Sequence, residues 1–533
     1  MLFRSSYHVP FRRTAASSAG ARRFSRNISM PAPDCEKLSA RIRAVLELDP
    51  GAVAIESRAG QWRWKDLAKA ADAVEQALLR EGIPARMPVG WVAHNRPAAV
   101  AALVALILNG RMVVPLRPRQ TSATLPQELT EQRLIAVIAA DEDWNADGAL
   151  AAATASGTFG IAVRDGATLE VRVVPELSHA GPGPHRPPMP GYVLERLTSG
   201  TTGAPKRIPV LESVLIPSLR SGEQAGEATA APELRLKSSP AILLKPFSHA
   251  GGLFGLLLAL YQARPMVLME RFSPQEWALA IHRYQPRSAS LVPAMIQMIL
   301  QERIQPELLR SLKAIRSGTA PLDPQMQAQF EARYGIPILV DYGAAEFIGG
   351  VAGWSLADYR KFAGTKQGSV GRARPDVRLQ VTSADTGESV PTGQTGILHI
   401  KCDRFGPDWH RTNDLASVDE DGFLFLHGRA DDAINRGGFK ILPEEVAAVL
   451  RRYPGVRDAA VIGKPDARLG QVPVAAIEML PDVSPPAPEL LETFAREHLT
   501  AYMIPREFRF VAALPRTASM KVSRPELKVM LGI

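Results

Sequence analysis

Residues 197–206, Leu-Thr-Ser-Gly-Thr-Thr-Gly-Ala-Pro-Lys, gather hydroxyls and small residues closely behind the apolar stretch Tyr192-Val193-Leu194. Ser199, Thr201 and Thr202 supply hydroxyls, while Gly200 and Gly203 let backbone N–H groups close on an anion. Lys206 adds a mobile positive charge of the kind a triphosphate requires. The run is not a Walker A loop, which places Gly-Lys-Ser/Thr after four spacer residues. A shorter run of this composition would read as an ordinary surface loop. Three further groups of residues carry chemistry: the segment from Asp341 to Glu346, the Asp414 and Arg429 pair, and Lys521 near the C-terminus.

The ten-residue run resembles the phosphate loop of the adenylate-forming superfamily, which comprises acyl- and aryl-CoA synthetases, peptide-synthetase adenylation domains and luciferases. The resemblance spans roughly residues 50–525 and is carried by several motifs in order. Gly318-Thr319-Ala320 resembles the loop whose backbone borders the adenine. In Asp341-Tyr342-Gly343-Ala344-Ala345-Glu346, Tyr342 offers a flat face for adenine, Gly343 allows close backbone approach, and Glu346 is a hard oxygen ligand for Mg²⁺ on a triphosphate. The superfamily has a phosphate-contacting Thr where Ala345 stands, a loss of about 0.5–1.5 kcal/mol if nothing replaces the hydrogen bond. The resemblance gives Asp414 to the two ribose hydroxyls, which a carboxylate can accept together, and Arg429 to the ribose and phosphate. By spacing alone the same two residues would form a surface pair of little worth. Asn413 stands where Gly is more usual.

The resemblance also makes Asp431 a hinge about which a terminal domain rotates between two catalytic poses. Gly437 and Gly438 would meet the pantetheine arm of CoA, although a Gly-rich hairpin turn explains them equally well. Lys440 would contact the nucleotide phosphate or CoA. Lys521 corresponds to the lysine that acts in adenylation. Met520 replaces the usual Gly beside it, a strained choice if that position needs positive φ. The catalytic set implied is Lys521, Glu346, Thr201 and Lys206, with Mg²⁺ on Glu346 and Thr201 or Thr202, and Ser199 and Lys206 on the departing pyrophosphate.

The elements that must position these residues read as α/β. Short apolar runs alternate with longer amphipathic ones, as in residues 89–94, 97–109 and 112–116, where Gly110 marks the helix stop. The rhythm recurs at 243–246, 254–263 and 266–269, and again at 313–316, 323–334 and 338–341. Parallel sheets with helices on both faces follow. Five prolines among residues 181–190 make a stiff connection into the phosphate-loop strand. Between 368 and 427 the texture changes to short alternating strands, suggesting a small β-barrel subdomain. The last hundred or so residues read as a compact α+β unit. The expected organisation is a basic extension over 1–34, a large domain of doubly wound sheets over 35–430, and a small mobile domain over 431–533.

Composition limits the alternatives. A length of 533 residues exceeds one hydrophobic core, and 46% hydrophobic with 22% charged residues is ordinary for a globular enzyme. Apolar runs are shorter than the ~20 residues a membrane span needs. Cys35 and Cys402 suggest neither a disulfide framework nor a metal site, and fit a reducing compartment. Six arginines of the +9 net charge lie within residues 1–33, which contain no acid. The body is nearly balanced, so nucleic acid is not an expected partner. The basic segment reads as a mitochondrial presequence, a disordered tail, or an over-extended start with Met30 as initiator. The Ala- and Arg-rich body favours the last, and with it a cytoplasmic enzyme rather than one of the mitochondrial matrix.

The acid substrate is expected around Phe247–Gly252, with His249 and Gly251 in the acyl pocket. No acidic residue occurs between Glu233 and Glu270 to hold an amino group, which argues against an amino acid. The implied activity is ATP-dependent formation of an acyl adenylate and transfer to CoA. Transfer to a carrier protein or amine is the rival, and a non-catalytic nucleotide or acyl binder is the alternative from another class.

Overall fold

The computed structural model describes residues 37–118, 124–197, 206–224, 234–343, 347–517 and 520–533. The extension over 1–34 therefore lies outside it. Residues 37–533 form one packed unit.

Strand Pro88–Val92 and strand Met112–Leu116 are buried at every position, as continuous apolar runs must be when both faces of a sheet are covered. They lie side by side at the centre of a seven-stranded sheet. Its order by residue is Glu170–Val173, Phe159–Arg164, Ala136–Ala140, Pro88–Val92, Met112–Leu116, Tyr192–Leu197, Arg207–Leu211. The five inner strands are parallel and both edge strands antiparallel. Helix Pro97–Leu108 connects the two central strands. Proline occupies its first turn, where no N–H is needed, and Gly110 at φ +62 follows its end. Residues 97–107 are all buried because this helix is sandwiched inside the largest core cluster.

A four-stranded sheet joins Ala241–Leu243, Met266–Leu268, Val53–Ser57 and Gly60–Arg63. The third sheet begins with the parallel strands Ser288–Leu291, Ala314–Ser317 and Ile338–Tyr342. The antiparallel strands expected as a small barrel continue from it through Ala352–Gly353. Together they make one nine-stranded sheet rather than a separate body. Beyond strand Phe423–Arg429 the chain makes a single 3-10 turn, Ala430–Asp432, and starts a new sheet at Ile434–Arg436. This five-stranded sheet, with helices Pro443–Arg451 and Pro488–His498, holds its own core around Val446, Leu450, Ile477 and Leu491. Among the described residues no helix is long and apolar enough to cross a membrane.

Candidate active site

A cleft of about 2180 Å³ opens between the large sheets and the C-terminal sheet. It is lined by Lys206, His249, Gly251, Gly318, Thr319, Ala320, Asp341, Tyr342, Gly343, Asp414, Arg429 and Lys521. The structure thus gathers on one cavity residues spread over more than three hundred positions. Ser199, Gly200, Thr201, Thr202, Gly203, Ala345 and Glu346 lie outside the described residues.

One end of the cleft is built at the close of strand Ile338–Tyr342. The Tyr342 hydroxyl donates to Asp414 Oδ2. Asp414 and Arg429 pair directly across strands His410–Val418 and Phe423–Arg429, which brings Arg429 Nη1 to 3.8 Å from Asp414 Oδ1. Their separation of fifteen in sequence is therefore a cross-strand neighbourhood. Arg429 also forks onto Asp431, with Nε to Oδ1 at 2.9 Å and Nη2 to Oδ2 at 2.7 Å. Those hydrogen bonds hold the guanidinium charged more firmly than usual, against the opposing effect of burial. Burial works to raise the Asp431 carboxyl, but hydrogen bonding to Arg429 overrides it and keeps that carboxyl below the usual range. Asn413 adds a third bond to Asp431, at 3.2 Å, a contact that Gly could not make.

Gly318 permits a close strand approach, since a Cβ there would stand 2.8 Å from the Asp341 carbonyl oxygen. Thr319 takes φ +82 in the same turn. The Asp341 carboxylate is held by Arg316 and Arg374, each at 3.1 Å from Oδ1. Its side chain serves this partly buried charge cluster, all three members of which line the cleft.

His249 precedes helix Ala250–Tyr261. Burial, aided by the charges of Lys521 and Arg117, lowers its pKa to about 4. The ring is neutral near pH 7, and the electrostatic effect ties Lys521 to this end of the cleft. Lys521 stands on a tight hairpin closed by the Arg516 and Val522 bridge. Its carbonyl accepts from Thr517 N at 2.8 Å, and Met520 N donates to Thr517 O at 2.8 Å. Met520 does adopt positive φ, +66. Its side chain packs against the core cluster that includes Ile296, Ile315 and Ile338 in the large domain. Gln297 Nε2 gives a second crossing contact, to Arg457 O at 2.5 Å.

Gly437 and Gly438, at φ +58 and +92, form the two-residue turn between strands Ile434–Arg436 and Phe439–Ile441. Both central residues carry the positive φ such hairpins need. These glycines and the exposed Lys440 are not among the residues lining the cleft.

Several supporting residues had no local signal. Asn95 donates to Lys245 O at 3.0 Å and accepts from Phe247 N at 2.9 Å, pinning the loop that leads into His249. On the strands Tyr192–Leu197 and Arg207–Leu211, the buried Glu195 lies 3.4 Å from Arg207; Arg207 also reaches the buried Glu128 at 3.3 Å, and Arg117 binds Glu128 at 2.8 Å. Lys245 Nζ donates to Ser290 Oγ at 2.8 Å within the cleft, and burial pushes its ammonium below the ordinary lysine value. Among the described residues no three His, Cys, Asp or Glu side chains cluster as a metal site. A Mg²⁺ that arrives on triphosphate oxygens needs only one or two protein oxygens.

Residues 42–404 match the family model of the AMP-binding enzyme, and residues 445–521 that of the AMP-binding enzyme C-terminal domain. The chain is 28% identical over 517 residues to an indoleacetate–CoA ligase of Aromatoleum aromaticum, covering 91% of this chain and 96% of that one. It is 31% identical over 369 residues to a sulfoacetate–CoA ligase of Cupriavidus necator, covering 66% of this chain and 69% of the relative. The solved structure of ATP-bound MatB from Rhodopseudomonas palustris shares the fold, with a TM-score of 0.77 at 23% identity over 93% of this chain and 98% of that one. The first family model alone spans more than half of the residues, and the second follows it in order; the chain belongs to the adenylate-forming family of AMP-binding enzymes.

Proposed function

We propose that this protein is an acid–CoA ligase that activates a carboxylic acid with MgATP and passes the acyl group to CoA. The observation that carries this reading is the convergence of Lys521, from the C-terminal hairpin, with the Tyr342, Asp414 and Arg429 cluster and His249 on one cleft. The relatives named as CoA ligases support the acceptor.

The acid's carboxylate oxygen attacks the α-phosphorus of ATP as the bond to the pyrophosphate oxygen breaks. Negative charge builds on the phosphoryl and bridging oxygens. Fixed positive charge and alignment of the two reactants lower that barrier, and no protein nucleophile is required. Lys521 bridges carboxylate and α-phosphate. Asp414 takes the ribose hydroxyls, Arg429 reaches the ribose and phosphate, and Tyr342 lies against the adenine. Ser199, Thr201, Thr202 and Lys206 would hold the phosphates, and Glu346 and Thr201 would supply the oxygens that hold Mg²⁺, which would offset the phosphate charge.

The boundary between the large and the mobile domain falls at 430/431, with Asp431 as the hinge. Rotation there withdraws Lys521 and brings the Gly437 and Gly438 turn, with Lys440, toward the adenylate. The CoA thiolate then attacks the acyl carbon and AMP leaves. The compartment proposed is the cytoplasm.

The test is mass-spectrometric detection of products from ATP, Mg²⁺, CoA and a panel of aromatic, branched and short acids, with Lys521→Ala alongside. A thioester and AMP are expected, with at least a hundredfold loss in the variant. Adenylate accumulating without thioester would transfer the reading to a carrier or amine acceptor.

A further inference from the structure

Helix Ala250–Tyr261 contains Gly251, Gly252 and Gly255, and each glycine costs helix stability relative to alanine. Gly252 has a packing reason: a Cβ there would stand 2.1 Å from the Pro246 carbonyl oxygen. The other two have none. Among the described residues nothing lies within 4 Å of a Cβ at Gly251, and at Gly255 the nearest atom is Leu243 Cδ2 at 3.7 Å, ordinary contact. Both line the cleft. Four residues apart, they stack on one helix face and leave a strip of bare backbone.

That strip starts beside His249, the end of the cleft reached by the charge of Lys521. One flank of it is apolar. Phe254 and Leu258 line the same cavity and are only partly buried, although each packs on the main core. Opposite them, Gly349 closes to 3.4 Å from the Phe254 ring, measured at its own Cβ position. Two uncompensated glycines beside two half-covered apolar side chains describe a space kept open for something as thick as a ring. A two-carbon acid would leave the strip empty and its apolar walls against water.

Resting on the ligase reading of the cleft, we propose that the acids used by this protein carry a ring-sized or branched, mainly apolar group next to the carboxylate, and that Gly251 and Gly255 set the width of its seat. The proposal makes these glycines specificity-determining residues. Side chains there would shorten the range of accepted acids without touching the nucleotide end.

Stable adenylate mimics test this directly. 5′-O-Sulfamoyl adenosine bearing acetyl, benzoyl or naphthoyl groups would be titrated calorimetrically into the full chain, into Gly251→Leu and into Gly255→Leu, with ATP as the folding control. The aroyl mimics should bind the unmodified chain at least tenfold more tightly than the acetyl mimic. In the leucine variants the ratio of aroyl to acetyl affinity should fall at least tenfold. Gly251→Ala and Gly255→Ala, which favour the helix, should lower the same ratio two- to fivefold, so misfolding of a leucine variant does not remove the test. Acetyl binding as tight as aroyl in the unmodified chain, or an aroyl preference indifferent to all four substitutions, overturns the proposal. Binding of ATP but of no mimic at all overturns the ligase reading as well, whereas tight acetyl binding alone overturns only the seat for a ring.

Discussion

Asp414 serves two partners at once, accepting the Tyr342 hydroxyl and facing Arg429 across the strands. Replacing it by asparagine keeps its shape and removes the charge that two ribose hydroxyls would share. Hydrogen bonds to a charged acceptor contribute about 1.5–3 kcal/mol. Asp414→Asn should therefore raise KM for ATP about tenfold or more in a pyrophosphate-release assay, with a smaller change in kcat. His249 gives a different kind of prediction. Burial first, then Lys521 and Arg117, lower its pKa to about 4 from an ordinary 6.5. Between those values the unfolded chain binds a proton that the folded chain refuses, so this residue's contribution to stability is full above pH 6.5 and is lost as pH falls toward 4. Thermal midpoints at pH 7 and pH 5 should drop less in His249→Gln than in the unmodified chain. An equal drop would mean the ring is protonated in the folded state.

Among the elements, the hairpin that carries Lys521 is the one whose sequence and geometry are most opposed. A side chain at φ +66 costs about 1–2 kcal/mol relative to glycine, yet Met520 occupies that position and packs against the core cluster that includes Ile296, Ile315 and Ile338. Covering part of a Met side chain is worth a comparable amount, so the strain and the contact nearly cancel. Met520→Gly should leave the thermal midpoint within a few degrees. It should also slow pyrophosphate release severalfold in single turnover, because the hairpin loses its grip on the large domain. An unchanged rate would remove Met520 as a brace. The same comparison shows what could be read in advance. The Met520 conflict was visible as a departure from the expected Gly, but its resolution was not, because the partners lie about two hundred positions away. Helix Pro97–Leu108 was legible almost to the residue, since proline fixes its start and Gly110 marks its stop.

In the molecule as a whole, the sheets followed from local alternation, while the joins between them did not. The strands of 369–429 looked like a separate barrel because nothing in them announces a partner. Among the described residues, the two-residue strand Ala352–Gly353 links them to the parallel set. Asn95 and the Glu128, Glu195 and Arg207 group were invisible for the same reason, since long-range polar pairing leaves no periodic trace. The fork from Arg429 to Asp431 has a consequence at this scale. On the roles proposed above, one guanidinium would span the ribose carboxylate and the pivot of the small domain, so occupancy of the nucleotide site and orientation of that domain would be two readings of one equilibrium. By reciprocity, whatever factor separates the nucleotide affinities of the two orientations is the factor by which a bound nucleotide shifts their populations. Release of AMP and the return stroke of the domain would then be one event, and a single arginine would set the exchange rate between them.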